Sequence, residues 1–178
     1  MTSVTDAAPD EQGGEHKPGL PALVGRIAAL FSSAHYPSSD RAALKRWAPG
    51  QPTPLAYYRL WMCHLRQDPP SDSQTMAWSC VAWALASAGG ASHQPSRPLG
   101  QALAEARFSE ARLEQMLSAP EEVRARLCQA AVRFLAAKGE RWNFSELAHY
   151  LLTRDAEKRE AVNRRIASSY YRHSHTVG

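Results

Sequence analysis

From Leu20 to Tyr171 the apolar side chains recur at three- and four-residue spacing, with no sustained period-two alternation and no hairpin turn signal. Prolines and glycines interrupt that pattern at short intervals. Such a chain offers no sheet face to cover, so it is restricted to short helices packed on one another. The expected fold class is all-α: a compact bundle of about eight or nine short helices, with no sheet.

Leu23, Ile27, Leu30 and Phe31 mark one face of the first helix, which Tyr36-Pro37 ends. Ser38 or Ser39 starts a second, through Trp47, and after a Pro-rich connection a third spans about Leu55 to Arg66. An Ala-rich helix from about Ser73 to Ala88 is apolar on most sides, which predicts central burial. Gly89 to Pro98 reads as a flexible loop before a short helix at Leu99–Ala106. Ser109 caps the next, and Pro120 suits the first position of a longer helix closed by Gly139, with Val123, Leu127, Ala130 and Phe134 as its buried stripe. Asn143 and Glu146 have the spacing of a capping box, and the last helix runs from about Asp155 to Tyr171.

Residues 1–18 are acidic and nearly free of large apolar side chains, and read as a disordered leader. Residues 19–172 read as a single helical domain, with 89–98 as the place where two sub-bundles would divide, and 173–178 as a flexible tail. Cys63, Cys80 and Cys128 are odd in number and far apart, so each is expected to be a buried free thiol. No apolar run reaches membrane-span length and no signal-peptide pattern opens the chain, so a soluble cytoplasmic protein without membrane contact is expected.

Charge is unevenly spread. Residues 1–16 hold four acids and no Lys or Arg, leaving the other 162 residues with 21 basic and 13 acidic side chains, a surplus of eight. Seventeen of the cations are Arg, which pairs bidentately with phosphate and stacks on bases. Between Arg41 and Arg66 stand Arg41, Lys45, Arg46, Arg59 and Arg66 with no acid, beside Trp47, Tyr57, Tyr58 and Trp61. Helical bundles bury their aromatics, so the cations carry the expectation of nucleic-acid binding. On a helix, Arg154, Lys158, Arg165 and Arg172 fall within about 40° of one another, apart from the apolar stripe Val162, Ile166 and Tyr170. Glu160 pairs with Arg164 at four-residue spacing and Glu122 with Arg126, leaving Arg133 freer.

Signals for chemistry are weak. His173 and His175 lack partners at zinc-site spacing, and nothing in sequence orients the imidazole of Cys63-His64. No Walker loop, nucleophile elbow or HExxH motif is present. The reading is a protein that is not an enzyme, with no metal and no cofactor.

The cluster Leu44-Lys45-Arg46-Trp47, a Pro-rich gap and Tyr57-Tyr58-Arg59-Leu60 are followed by Leu99-Gly100-Gln101-Ala102-Leu103. Then come Arg107-Phe108-Ser109-Glu110-Ala111-Arg112-Leu113, the helix of Trp142, Leu147 and Leu151-Leu152, and a last helix ending in Tyr170-Tyr171. In this order, from Leu44 to Tyr171, the segments resemble the CasB family, the small subunit of the type I-E CRISPR surveillance complex Cascade. Ile166-Ala167-Ser168 departs from the family's pattern, in which an Arg precedes the terminal aromatic pair; Arg164 or Arg165 would have to compensate.

The resemblance implies a helical, non-catalytic subunit present as two copies of itself, packed on other Cascade subunits that hold the guide RNA. Its basic surface would hold target and displaced DNA strands and stabilise the R-loop in antiviral defence. It points to Lys45, Arg46, Arg59, Arg107 and Arg112 as nucleic-acid contacts; spacing alone adds Arg154, Lys158 and Arg165. Arg41 and Arg133 rank lower. The alternative is a helical adaptor whose Arg-rich surface binds an acidic protein partner.

Overall fold

The computed structural model of the chain describes residues 18–174. They form nine α-helices, and no strand occurs among the described residues. These are α1 (Leu20–Ser32), α2 (Ser38–Arg46), α3 (Leu55–Arg59), α4 (Asp72–Ala88), α5 (Leu99–Glu105), α6 (Glu110–Leu117), α7 (Glu121–Ala137), α8 (Phe144–Leu152) and α9 (Ala156–Ser174). A π-helical turn, Leu60–Leu65, extends α3 and ends at Arg66 in the left-handed conformation, φ 55°. The all-α expectation holds.

Helix α4 is the hub. Every residue from Trp78 to Ala86 is buried, because an Ala-rich helix has little side chain to hold neighbours off. Helices α1, α2, α7 and α8 all pack on it. One continuous cluster of buried side chains runs from Leu23 on α1 to Tyr170 on α9.

The last helix lies across α5 at backbone contact. A Cβ added to Gly100 would stand 2.2 Å from the Ile166 carbonyl oxygen and 2.7 Å from the Tyr170 nitrogen, so only glycine permits this crossing. Val162, Ile166 and Tyr170 are the buried stripe of α9, as their spacing predicts, and Tyr170 Oη donates to the Phe108 carbonyl at 2.5 Å. The helix runs on through His173 and Ser174. Residues 1–17 and 175–178, which include His175 and nearly all of the acidic leader, lie outside the described residues.

Several local expectations are corrected. The buried face of α7 is Arg124, Ala125, Cys128, Gln129, Ala131, Val132 and Leu135, while Val123 and Ala130 are exposed. The stripe assigned from hydropathy sits about one residue, or 100°, away from the true one. Pro120 is the N-cap of α7 rather than its first residue. Asn143 Oδ1 accepts from the Ser145 N–H at 3.0 Å, but Glu146 does not close a capping box. Its Oε2 instead accepts from the Leu99 N–H at 2.6 Å, capping α5 from another helix.

The segment 89–98 is also tied down. An added Cβ on Gly90 would meet the Ala28 carbonyl oxygen at 2.0 Å. Gln94 N donates to the Trp142 carbonyl at 2.9 Å, Trp142 N to Ser92 at 3.0 Å and Asn143 N to Arg97 at 2.8 Å. Arg97 donates to Glu105, to Glu140 and to the Arg141 carbonyl. Cys80 and Cys128 are buried free thiols, but Cys63 is exposed on the π-helical turn, against expectation.

Candidate nucleic-acid interface

Lys45 and Arg46 close α2 at its negative end, where cations are favoured. Leu44 beside them is buried and both basic side chains are exposed. Among the described residues neither has a carboxylate partner.

Arg59 is differently placed. Asp40, 4% exposed, stands one residue ahead of the acid-free stretch and faces it. Arg59 Nε donates to both Asp40 oxygens, at 3.0 and 3.2 Å, and Nη2 donates to Oδ1 at 2.5 Å. The hydrogen bonds from Arg59 hold the Asp40 carboxyl below its ordinary range, with burial opposing them. Arg59 thus clamps α3 to α2, and 47% of its side chain stays exposed. Arg41 donates to the Ser33 carbonyl at 3.1 Å and lies over the Tyr36 ring. Burial, then the charge of Asp40, pushes the Tyr36 hydroxyl up to about 12.

Of the four aromatics, Trp47, Tyr57 and Trp61 are core; Trp61 meets Trp78 edge-on at 5.1 Å. Tyr58 alone stays exposed, at 40%.

On α9, Lys158, Arg165 and Arg172 are exposed along one edge. Arg165 lies near Glu146 and His149, half-buried on α8: burial raises the Glu146 carboxyl, which Arg165 partly offsets, and burial and Arg165 together lower His149. Arg154 does not belong to this edge, because α9 starts two residues later. Its guanidinium donates to the Ser73 carbonyl and lies 3.3 Å from Glu121. Glu160 and Arg164 approach to 3.9 Å, a loose exposed pair. Glu122 and Arg126 form no ion pair; Arg126 is exposed, and it is Arg133 that is engaged, over the Trp83 ring at 5.3 Å.

Arg107, φ 63°, turns the chain between α5 and α6, and Arg112 lies on α6; both are exposed and lack an ion-pair partner among the described residues. Phe108 and Glu110 beside them receive the hydroxyls of Tyr170 and Tyr171, so this pair lies next to α9. A groove of about 580 Å³ separates α6 from α9, and its charged lining is Glu110, Glu114 and Glu160 against Arg164. The positive surface here is therefore interrupted.

The eight residues singled out from sequence fall into three places. Lys45, Arg46 and Arg59 belong to the α2–α3 unit, which packs on α4; Lys158 and Arg165 lie on α9, and Arg107 and Arg112 lie beside its end, where Tyr170 and Tyr171 bond Phe108 and Glu110. Arg154 is fastened to the first turns of α4 and α7. Sequence did not single out Arg97, half-buried and tied to Glu105 and Glu140, nor Arg124, which is buried, nor Arg141, which is exposed beside the anchored loop. Among the described residues no three His, Cys, Asp or Glu side chains are grouped to hold a metal ion, and no helix is long and apolar enough to cross a membrane.

The profile of the family described as CRISPR-associated protein Cse2 matches residues 40–171. That match begins at the Asp40 that Arg59 holds. The crystal structure of a Cse2-family CRISPR-associated protein from Thermus thermophilus is similar in fold, with a TM-score of 0.67 at 24% identity, over 85% of this chain and 97% of that one. No curated protein matches the chain.

Proposed function

Given that the chain belongs to the Cse2 family, the small subunit (CasB) of type I-E Cascade, we propose that it holds DNA strands within that complex and stabilises the R-loop. The family is a structural one, and we assign the chain no catalytic step. The observation that carries the reading is a set of exposed cations without carboxylate partners among the described residues: Lys45, Arg46, Arg107, Arg112 and Lys158. Arg165 joins them. Arg59 and Arg154 keep a place because their side chains are about half exposed, though each guanidinium is already partly committed.

Replacing a DNA duplex by a guide RNA–DNA duplex is a nearly balanced exchange, so a few contacts to a strand shift it. Each neutralised phosphate releases counterions, which gives affinity without sequence preference. The guide reads sequence, so this subunit needs no base-edge contacts. Its partners on this reading are the other Cascade subunits with their guide RNA, both DNA strands, and a second copy of the chain, in the cytoplasm.

The test is R-loop lifetime on the reconstituted complex. Lys45→Glu with Arg46→Glu is expected to shorten it at least tenfold, the effect of about 1.4 kcal/mol. An unchanged lifetime with normal assembly would sink strand holding and favour an adaptor that meets an acidic protein.

A further inference from the structure

Helices α4 and α7, of 17 residues each, pack together, and neither N-terminus carries a side-chain cap. Between their first turns and the end of α8 lies a cavity of about 50 Å³, its polar lining Ser73 and Gln74 of α4, Glu121 and Arg124 of α7, and Arg154, and the rest of its wall apolar. That is room for a few waters or one small anion.

Arg124 is 3% exposed. Its Nη1 donates to the Tyr150 carbonyl at 3.3 Å and Nη2 to the Ala119 carbonyl at 3.4 Å, both long, while Nε is buried without a partner. The guanidinium carbon lies 5.0 Å from the centre of the Tyr150 ring. No carboxylate pairs with Arg124 among the described residues. Burying a guanidinium without a counter-charge is costly, and two long bonds with one ring offset only part of that.

Arg154 supplies a second guanidinium at the rim. Its pair with Glu121 spans 3.3 Å with side chains 53% and 57% exposed, which is weak enough for an incoming anion to displace the carboxylate. The first turns of α4 and α7 line the cavity, and the positive ends of their dipoles favour negative charge there, against the acids Asp72, Glu121 and Glu122 that the same turns carry.

We propose that this cavity binds one phosphate-type oxyanion, held by Arg124 from within and by Arg154 at the rim, with Glu121 turned aside. The group is either free phosphate or a phosphate on a nucleic-acid strand. The site shares only Arg154 with the strand contacts proposed above, and the test of phosphate binding itself needs neither DNA nor the complex.

Thermal unfolding of the full chain in sodium phosphate, against sodium chloride at matched ionic strength, reads it directly. The midpoint is expected to rise with phosphate beyond chloride and to saturate. Arg124→Met abolishes that increment, Arg154→Gln weakens phosphate about tenfold, and Glu121→Gln, which removes the competing carboxylate, tightens it. Should Arg124→Met fail to fold, the two exposed-residue variants decide. Superimposed phosphate and chloride curves would overturn the site, as would phosphate affinity unmoved in both Arg154→Gln and Glu121→Gln. Once a phosphate increment is seen, a short single-stranded oligonucleotide identifies the source. Competition with phosphate supports a strand phosphate, and absence of competition supports the free ion.

Discussion

Asp40 shows how much one residue changes the meaning of a charge run. Counted from Arg41, the stretch to Arg66 is free of acid; one position earlier lies the carboxylate that takes up Arg59. The contact spans 19 residues and two helices, so no local spacing rule reveals it. Its consequence is a pH dependence of known sign. The Asp40 carboxyl titrates below its ordinary value of 3.8 in the folded chain, first because of the Arg59 hydrogen bonds. The stability it contributes is therefore present above that ordinary value and is lost as pH falls through the lowered one. Asp40→Asn should lower the urea midpoint at pH 7, and its deficit relative to the parent should shrink toward pH 3. A constant deficit across that range would show that the carboxylate charge is not what Arg59 requires.

At the scale of the helix, Gly100 makes the strongest demand. The α5–α9 crossing brings backbone to within 2.2 Å of where a Cβ would sit, and backbone cannot move aside as a side chain can. Gly100→Ala should destabilise the fold by about 3 kcal/mol, at the upper end for overpacking, despite the helix propensity alanine gains. Equilibrium denaturation measures it; a neutral or stabilised variant would mean that α9 sits farther from α5. The glycine was legible in sequence as part of a motif, but the reason for it was not. Helix positions were legible because periodicity and Pro/Gly punctuation are local properties. What was lost depended on other elements: α7 turned its Arg124 face inward, Glu146 capped α5 rather than α8, and the 89–98 segment found partners near Trp142. Arg154 left the cationic edge because α9 begins after it, at Ala156.

For the whole molecule the question is whether the exposed cations act as one track or as two. Lys45 and Arg46 sit on the unit packed against α4, Lys158 and Arg165 on the helix packed against α5 and α8, and an acidic-lined groove flanks the latter. Two separate patches suit a subunit that touches nucleic acid at more than one point, and sites that share no partners contribute additively. Each phosphate contact adds about 0.7 (single strand) to 0.9 (duplex) to the steepness with which log affinity falls against log salt. Lys45→Gln with Arg46→Gln should then reduce that slope by about 1.4 to 1.8, and so should Lys158→Gln with Arg165→Gln. Combined, the four changes should reduce it by the sum, measured as complex affinity for a preformed R-loop across a salt series. A quadruple variant no worse than one pair would mean that only that patch meets nucleic acid. A slope unchanged in all three, with assembly intact, would remove phosphate contact from this subunit's role altogether.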